Sequence, residues 1–330
     1  MIGQRFKRFA RTKQALLLLI TILIIIGFYI NNKYYLSLDT IRGTMQAMSL
    51  TGIMAVGVAC LLIGGGMDLS MSMVSIFGGI MCAKMIAAGV PWGFAIVLTL
   101  ILGACVGAVN AFLVAKLNLM PFIATIAVSN VIQGLNLGST NAQNIQIKIE
   151  SFYWGSRTLF GIFPYPFVIM VVLLTVYGLI LSKTQFGRNI YLVGGNMAAA
   201  RLSGINPVKI RSVLFINCGV MAALSGIVLA SRMHSAIPTS LSDSQMDAIT
   251  AAILGGVAFS GDAGGMASCF MGIVMLNFFN TGLNSLGIEA YWSTIASGLL
   301  LLIALAMDFV SQKARIRALK AKTEPVAKGV

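Results

Sequence analysis

An all-α polytopic bundle of about ten membrane helices is predicted by three observations. The 330-residue chain is 58% hydrophobic and only 10% charged, whereas an average soluble domain is about a quarter charged. Its apolar residues gather into long runs, many near the ~20 residues that cross a bilayer core at ~1.5 Å rise each. The cationic excess, a formal net charge of +14, lies in loops and tails beside those runs, which points to membrane orientation rather than nucleic acid.

Taken in order, the first run covers residues 15–31 behind the basic start MIGQRFKRFARTKQ. No small-x-small cleavage site follows it, so it is expected to stay as a first helix. The remaining runs are 44–63, 70–89, 93–115, 121–138, 164–182, 212–231, 246–259, 265–283 and 290–310. The eighth is too short to cross unaided.

Basic flanks are retained in the cytoplasm, and Arg5, Lys7, Arg8, Arg11, Lys13, Lys116, Lys183, Arg188, Arg201, Lys209, Arg211 and the basic tail after Val310 all fall on one side. Trp92, Trp154, Trp292, Tyr34, Tyr35, Tyr153, Tyr165 and Tyr291 fall at the other, as interfacial aromatics do. Both termini are therefore expected to be cytoplasmic. Segments two to five and seven to ten would then enter from opposite sides, an inverted repeat in topology without convincing sequence identity. The expected organisation is a basic cytoplasmic segment at 1–14, a transmembrane domain at 15–310 with a cytoplasmic loop at 183–211, and a basic cytoplasmic tail at 311–330.

The polar interlude LSKTQFGRNIYLVGGNMAAARLSGINPVKIR, residues 181–211, holds five basic residues and no acidic one. Within it Asn196 is placed to cap a short helix, Ala198, Ala199 and Ala200 give that helix a smooth face, and Gly204 is placed to end it before Asn206 and Pro207. Such a helix suits a groove on a soluble partner; the plainer reading is a loop that only enforces orientation. On the outer side, the amide-rich stretch STNAQNIQIKIE and residues 233–245 are either partner contacts or solvated turns.

Several chemistries are disfavoured. No GxxxxGK[ST] loop occurs, so the chain lacks the phosphate cradle that ATP hydrolysis needs. The single histidine, His234, builds neither a histidine-based zinc site nor a triad. Cys60, Cys82, Cys105, Cys218 and Cys269 stand in apolar runs, where a thiol serves as a small hydrophobe, so neither disulfide nor metal is inferred. Asp68 reads first as a helix N-cap and second as a substrate contact; Lys84 reads as snorkelling, while Asp247 and Asp308 sit at helix ends. None has an obvious buried partner.

Neutral polar residues in the runs offer hydrogen bonds to a passing polyol or to a neighbouring helix. Asp68, Ser70, Asn110, Gln133, Asn136, Asn277 and Asn280 are the translocation-path candidates. Gly255, Gly256, Gly264 and Gly265 flank a polar turn and are the hinge candidates.

Six stretches taken together resemble a known family. They are Gly65-Gly66-Met67-Asp68-Leu69-Ser70, Pro121-Phe122-Ile123-Ala124-Thr125, Thr184-Gln185-Phe186-Gly187-Arg188, Gly194-Gly195-Asn196, Ala199-Ala200-Arg201-Leu202-Ser203-Gly204-Ile205, and Asp247-Ala248-Ile249 through Gly255-Gly256. This ordered set is similar to the permease subunit of ribose-, xylose- and arabinose-type ABC importers. The resemblance implies a homo- or heterodimeric permease, a cytoplasmic ATPase subunit that binds the ATP, an extracytoplasmic sugar-binding protein, and no cofactor on this chain. It also implies that Asn196, Ala199, Ala200, Arg201, Leu202, Gly204 and Ile205 form the ATPase-coupling element. The chain departs from the family pattern at Met71-Ser72 and at Asp262, where glycine is common. A small neutral monosaccharide is the expected cargo; the alternatives are autoinducer-2, a nucleoside, or an ion-coupled carrier of a small polar solute.

Overall fold

The computed structural model describes residues 13–240 and 244–323. The basic stretch expected at 1–14 thus lies outside the described residues up to residue 12, as do residues 241–243 of an expected outer loop and the end of the tail. The described residues form α1 (Lys13–Asn31), α2 (Leu38–Ile63), α3 (Met71–Ala87), α4 (Trp92–Ala111), α5 (Pro121–Thr140), α6 (Tyr165–Lys183), α7 (Gln185–Gly195), α8 (Met197–Leu202), α9 (Pro207–Met233), α10 (Ser244–Leu254), α11 (Met266–Ser285) and α12 (Ala290–Thr323). A π-helical turn (Phe112–Lys116) extends α4, 3-10 turns lie at Lys33–Leu36 and Glu150–Ser156, and two short antiparallel ladders join β1 (Ile145–Gln146) with β4 (Ser235–Ala236) and β2 (Thr158–Leu159) with β3 (Phe163–Pro164). This is an all-α polytopic membrane fold.

Among the described residues six helices are long and apolar enough to cross a membrane: Leu38–Ile63, Trp92–Lys116, Pro121–Thr140, Tyr165–Lys183, Pro207–Met233 and Met266–Ser285. Shorter apolar helices occur at Leu17–Asn31, Met71–Ala87 and Tyr291–Ala306. The share of buried residues sorts them. Over its most apolar stretch α2 is 89% buried and α9 67%, whereas α5 is 28% and α6 22%. The first pair is the core; the others turn large apolar side chains such as Ile123, Val131, Val172 and Leu179 outward, as helices solvated by lipid do.

The core closes through backbone contact. A Cβ on Gly219 of α9 would stand 2.1 Å from the Gly103 carbonyl oxygen of α4. A Cβ on Gly226 would stand 1.7 Å from that of Ser75 in α3. Dispersion and close backbone approach, rather than hydrophobic transfer, hold helices together in lipid. Small residues at these crossings are what allow it.

Three boundaries differ from expectation. Helix α2 starts at Leu38 rather than 44, because Ser37 accepts a hydrogen bond from the Thr40 amide at 3.3 Å and polar residues occupy its first turns. Helix α10 stops at Leu254, not 259. There the Val257 amide reaches the Ala252 carbonyl and the Gly256 amide the Ile253 carbonyl, with Gly256 at φ +96°, a Schellman ending. Helix α12 continues through the segment expected as a tail, to Thr323.

At 11 residues α10 spans about 16 Å, half of a ~30 Å hydrocarbon core. The chain reaches the end marked by residues 184–206 through a non-helical turn, in which the Asp262 amide donates to the Ile63 carbonyl at 3.0 Å. At its other end α10 meets α3, also short. The Ser72 amide donates to Gln245 Oε1 at 3.3 Å, and the Gln245 amide to Ser72 Oγ at 2.9 Å. Two short helices, of 17 and 11 residues, therefore start against one another inside the bundle.

The two long loops expected on the outer side are paired. Ile145 and Gln146 ladder with Ala236 and Ser235, the Ile147 amide donates to the His234 carbonyl, and the His234 ring stacks on Tyr153 at 3.7 Å. Phe152 is fully buried beneath them. The amide-rich loop is anchored, not a free hairpin.

Candidate functional site

Residues 184–206 connect α6 to α9 and form one end of the bundle. Thr184 caps α7 by accepting from the Gly187 amide at 3.0 Å. Asn196 then caps α8, its Oδ1 accepting from the Ala198 and Ala199 amides at 2.9 and 3.0 Å. After the six residues of α8, Gly204, at φ +78°, closes it, with the Ile205 amide on the Ala200 carbonyl at 3.0 Å and the Gly204 amide on the Arg201 carbonyl. Both ends of this short helix are satisfied locally. Its inward residue is Ala200, while Ala199 and Arg201 are exposed and Leu202 is 91% exposed. Leu202 is the most exposed large hydrophobic side chain on this capped turn.

Behind α8 three backbone turns meet. A Cβ on Gly194 would stand 1.8 Å from the Ile63 carbonyl oxygen at the end of α2. One on Gly261 would stand 2.9 Å from the Gly194 carbonyl oxygen. Tyr191 donates its hydroxyl to the Gly264 carbonyl at 2.8 Å. Of the hinge candidates, Gly256 and Gly264 are left-handed at φ +96° and +124°, Gly255 lies against the Ser268 carbonyl, and Gly265 starts α11 in extended backbone. Asp262 sits at φ +67°, a conformation that suits glycine, the residue the resemblance led one to expect there.

Asp68 requires a correction. The N-cap of α3 is Ser70, and Asp68 does have partners. Its Oδ1 accepts from the Ser70 amide at 2.8 Å and the Ser70 hydroxyl at 2.6 Å; the Asn110 amide nitrogen reaches Oδ1 and Oδ2 at 3.3 and 3.2 Å, and Ser70 Oγ at 2.8 Å. All three residues are buried, and the adjacent Leu69 amide donates to Thr125 Oγ1 at 3.1 Å. Three path candidates, Asp68, Ser70 and Asn110, thus form one knot joining the α2–α3 turn to α4, with Thr125 tying it to α5. Sequence reading missed Thr125.

The other path candidates separate. Asn136 is buried and donates to the Met73 carbonyl at 3.0 Å; Asn277 donates to Ile273 within its own helix at 2.9 Å. Gln133 is on an exposed face of α5. Asn280 lines a hollow of ≈ 300 Å³ with Asp247, Thr250, Ser293, Thr294 and Ser297. Apart from Asn280, those hollow-lining residues were not singled out as a group; the spacing Asp247/Thr250 and Ser293/Ser297, each one helical turn, was the available signal.

Comparison with known proteins decides the class. Residues 40–305 match the family described as the permease component of branched-chain amino acid transport systems. The chain belongs to this permease family. Relatives of the permease include the ribose import permease protein RbsC of Escherichia coli (strain K12), 32% identical over 93% of this chain and 97% of the relative. The L-arabinose transport system permease protein AraH of the same strain is 33% identical over 83% and 84%. The fructose import permease protein FrcC of Rhizobium meliloti is 28% identical over 92% and 88%. No solved structure matches. The permease is a multi-pass protein of the inner, or plasma, membrane.

Proposed function

We propose that this chain is the membrane subunit of an ATP-driven importer of a small neutral monosaccharide, a pentose or hexose, with ATP bound by a separate cytoplasmic subunit. The observation that carries this reading is α8, capped at both ends with Leu202 exposed, in a chain whose relatives over most of their length are named for ribose, arabinose and fructose. Asn196, Ala199, Ala200, Arg201, Leu202, Gly204 and Ile205 form the surface that docks on the ATPase, and the turns at 63–66, 194–195 and 261–264 carry its displacement inward. An extracytoplasmic sugar-binding protein docks at the opposite end, on the paired loops around β1 and β4. A second permease subunit, identical or related, completes the pathway.

The same reading gives ten crossings with both termini cytoplasmic, a transmembrane domain at 15–310 and basic segments at 1–14 and 311–330. The short helices α3 and α10, third and eighth in that count and in contact at Ser72 and Gln245, support an inverted repeat of crossings two to five and seven to ten. Gly255, Gly256, Gly264 and Gly265 act as the bend that lets α10 and α11 shift together.

The experiment is the ATPase rate of the reconstituted permease and ATPase subunit, with binding protein loaded with ribose, arabinose, fructose or autoinducer-2. Stimulation by one loaded form is expected. Uptake driven by an ion gradient without the ATPase subunit would sink the proposal in favour of an ion-coupled carrier.

A further inference from the structure

Helix α11 starts beside the turn that binds Ile63 and Gly194, and runs away from it; Asn280 lies in its last two turns. The hollow that Asn280 lines is therefore remote from α8, toward the end where a solute would arrive. One wall is the first turns of α10, with Asp247 and Thr250; the other is the start of α12, with Ser293, Thr294 and Ser297. Its ≈ 300 Å³ is at the small end of ligand sites, which run to about 300–1,000 Å³.

The lining has a definite chemistry. A carboxylate and an amide oxygen accept; an amide nitrogen and hydroxyls donate and accept. Thr250 already donates its proton to the Met246 carbonyl at 2.7 Å, so it faces a ligand as an acceptor. Ser297 donates to Asn280 Oδ1 across a long 3.4 Å, a bond that a ligand hydroxyl can replace at small cost. Met246 and Leu301 add apolar surface for C–H groups. Among the described residues no lysine, arginine or histidine lines it, so a carboxylate or phosphate would find no cationic side chain there. A hollow of ≈ 310 Å³ lined by Val171, Leu174, Leu179 and Phe270 has almost none of this polarity.

We propose that Asp247, Thr250, Asn280, Ser293, Thr294 and Ser297 form a binding site for a neutral vicinal polyol of monosaccharide size, and that they select the cargo after the binding protein releases it. The assignment rests on the importer reading above. It places selectivity on α10, α11 and α12 of the permease itself.

The test uses the complete importer in vesicles, with its ATPase subunit and binding protein, offered labelled ribose, arabinose and fructose. Wild type taking up none of them, despite assembly, overturns the importer reading and this assignment with it. Given wild-type uptake, Asn280→Leu and Ser297→Val are expected to cut it about tenfold, the scale of one lost polar contact, whereas Ser297→Thr keeps the hydroxyl and most of the uptake. Unchanged uptake in both apolar variants overturns the site alone. So does equal loss in Ser297→Thr and Ser297→Val with assembly intact, since packing would then be the cause. If the apolar variants do not assemble, Ser297→Cys in a Cys105→Ser background decides: free sugar should slow its labelling by a water-soluble maleimide severalfold, and labelling indifferent to sugar overturns the site.

Discussion

At Asp68 a single carboxylate accepts from the Ser70 amide, the Ser70 hydroxyl and the Asn110 amide group, and all of them are buried with it. Removing the acceptor strands the two Ser70 donors, while the Asn110 amide keeps Ser70 Oγ, and each buried unsatisfied group costs about 1–3 kcal/mol. Asp68→Ala is therefore expected to destabilise the solubilised chain by at least ~2 kcal/mol, and Asp68→Asn, which keeps one oxygen and the shape, by less. Thermal unfolding in detergent checks this; equal midpoints for wild type and Asp68→Ala would show that the knot carries no stability. The acid itself was visible in the sequence, and so was Asn110. Their meeting was not, because 42 residues separate them and nothing local to either announces the other. By contrast, the Asn196 cap and the Gly204 ending were legible, since both act within four residues of themselves.

Among the elements, the apolar runs located α1 to α6, α9 and α11 to within several residues, because run length is the property that a bilayer demands. It served less well where a helix is cut short in the interior. Helix α10 ends where a left-handed glycine and two backbone bonds override continuing apolar sequence, and α2 starts among polar residues that hydropathy ignores. Nor does run length say which helix is central. That is decided by small residues facing one another, as at Gly103 and Gly219, where added atoms meet backbone that cannot turn aside. Gly219→Leu is expected to separate α9 from α4 and to lower the yield of folded protein severalfold in membrane extracts, whereas Gly134→Leu, with open space at its Cα, leaves the yield near wild type. Comparable yields for the two variants would refute the close-approach argument.

For the whole molecule, the two ends have different characters: a capped helix with an exposed leucine at one, and loops laced together through β1 and β4 at the other. Arg201→Glu reverses a charge on the proposed docking surface without touching a buried group, so insertion should be normal while co-purification of the ATPase subunit weakens several-fold; unchanged co-purification would count against that surface. The packing of α9 also bears on how the chain is made. It is the partner against which α2, α3 and α4 bury their small residues, yet it is synthesised only after α5, a long loop, α6 and the polar interlude have been made. At ~5–20 residues per second that delay is on the order of ten seconds. Through it the early helices are expected to wait in lipid with their glycine faces uncovered until α9 arrives.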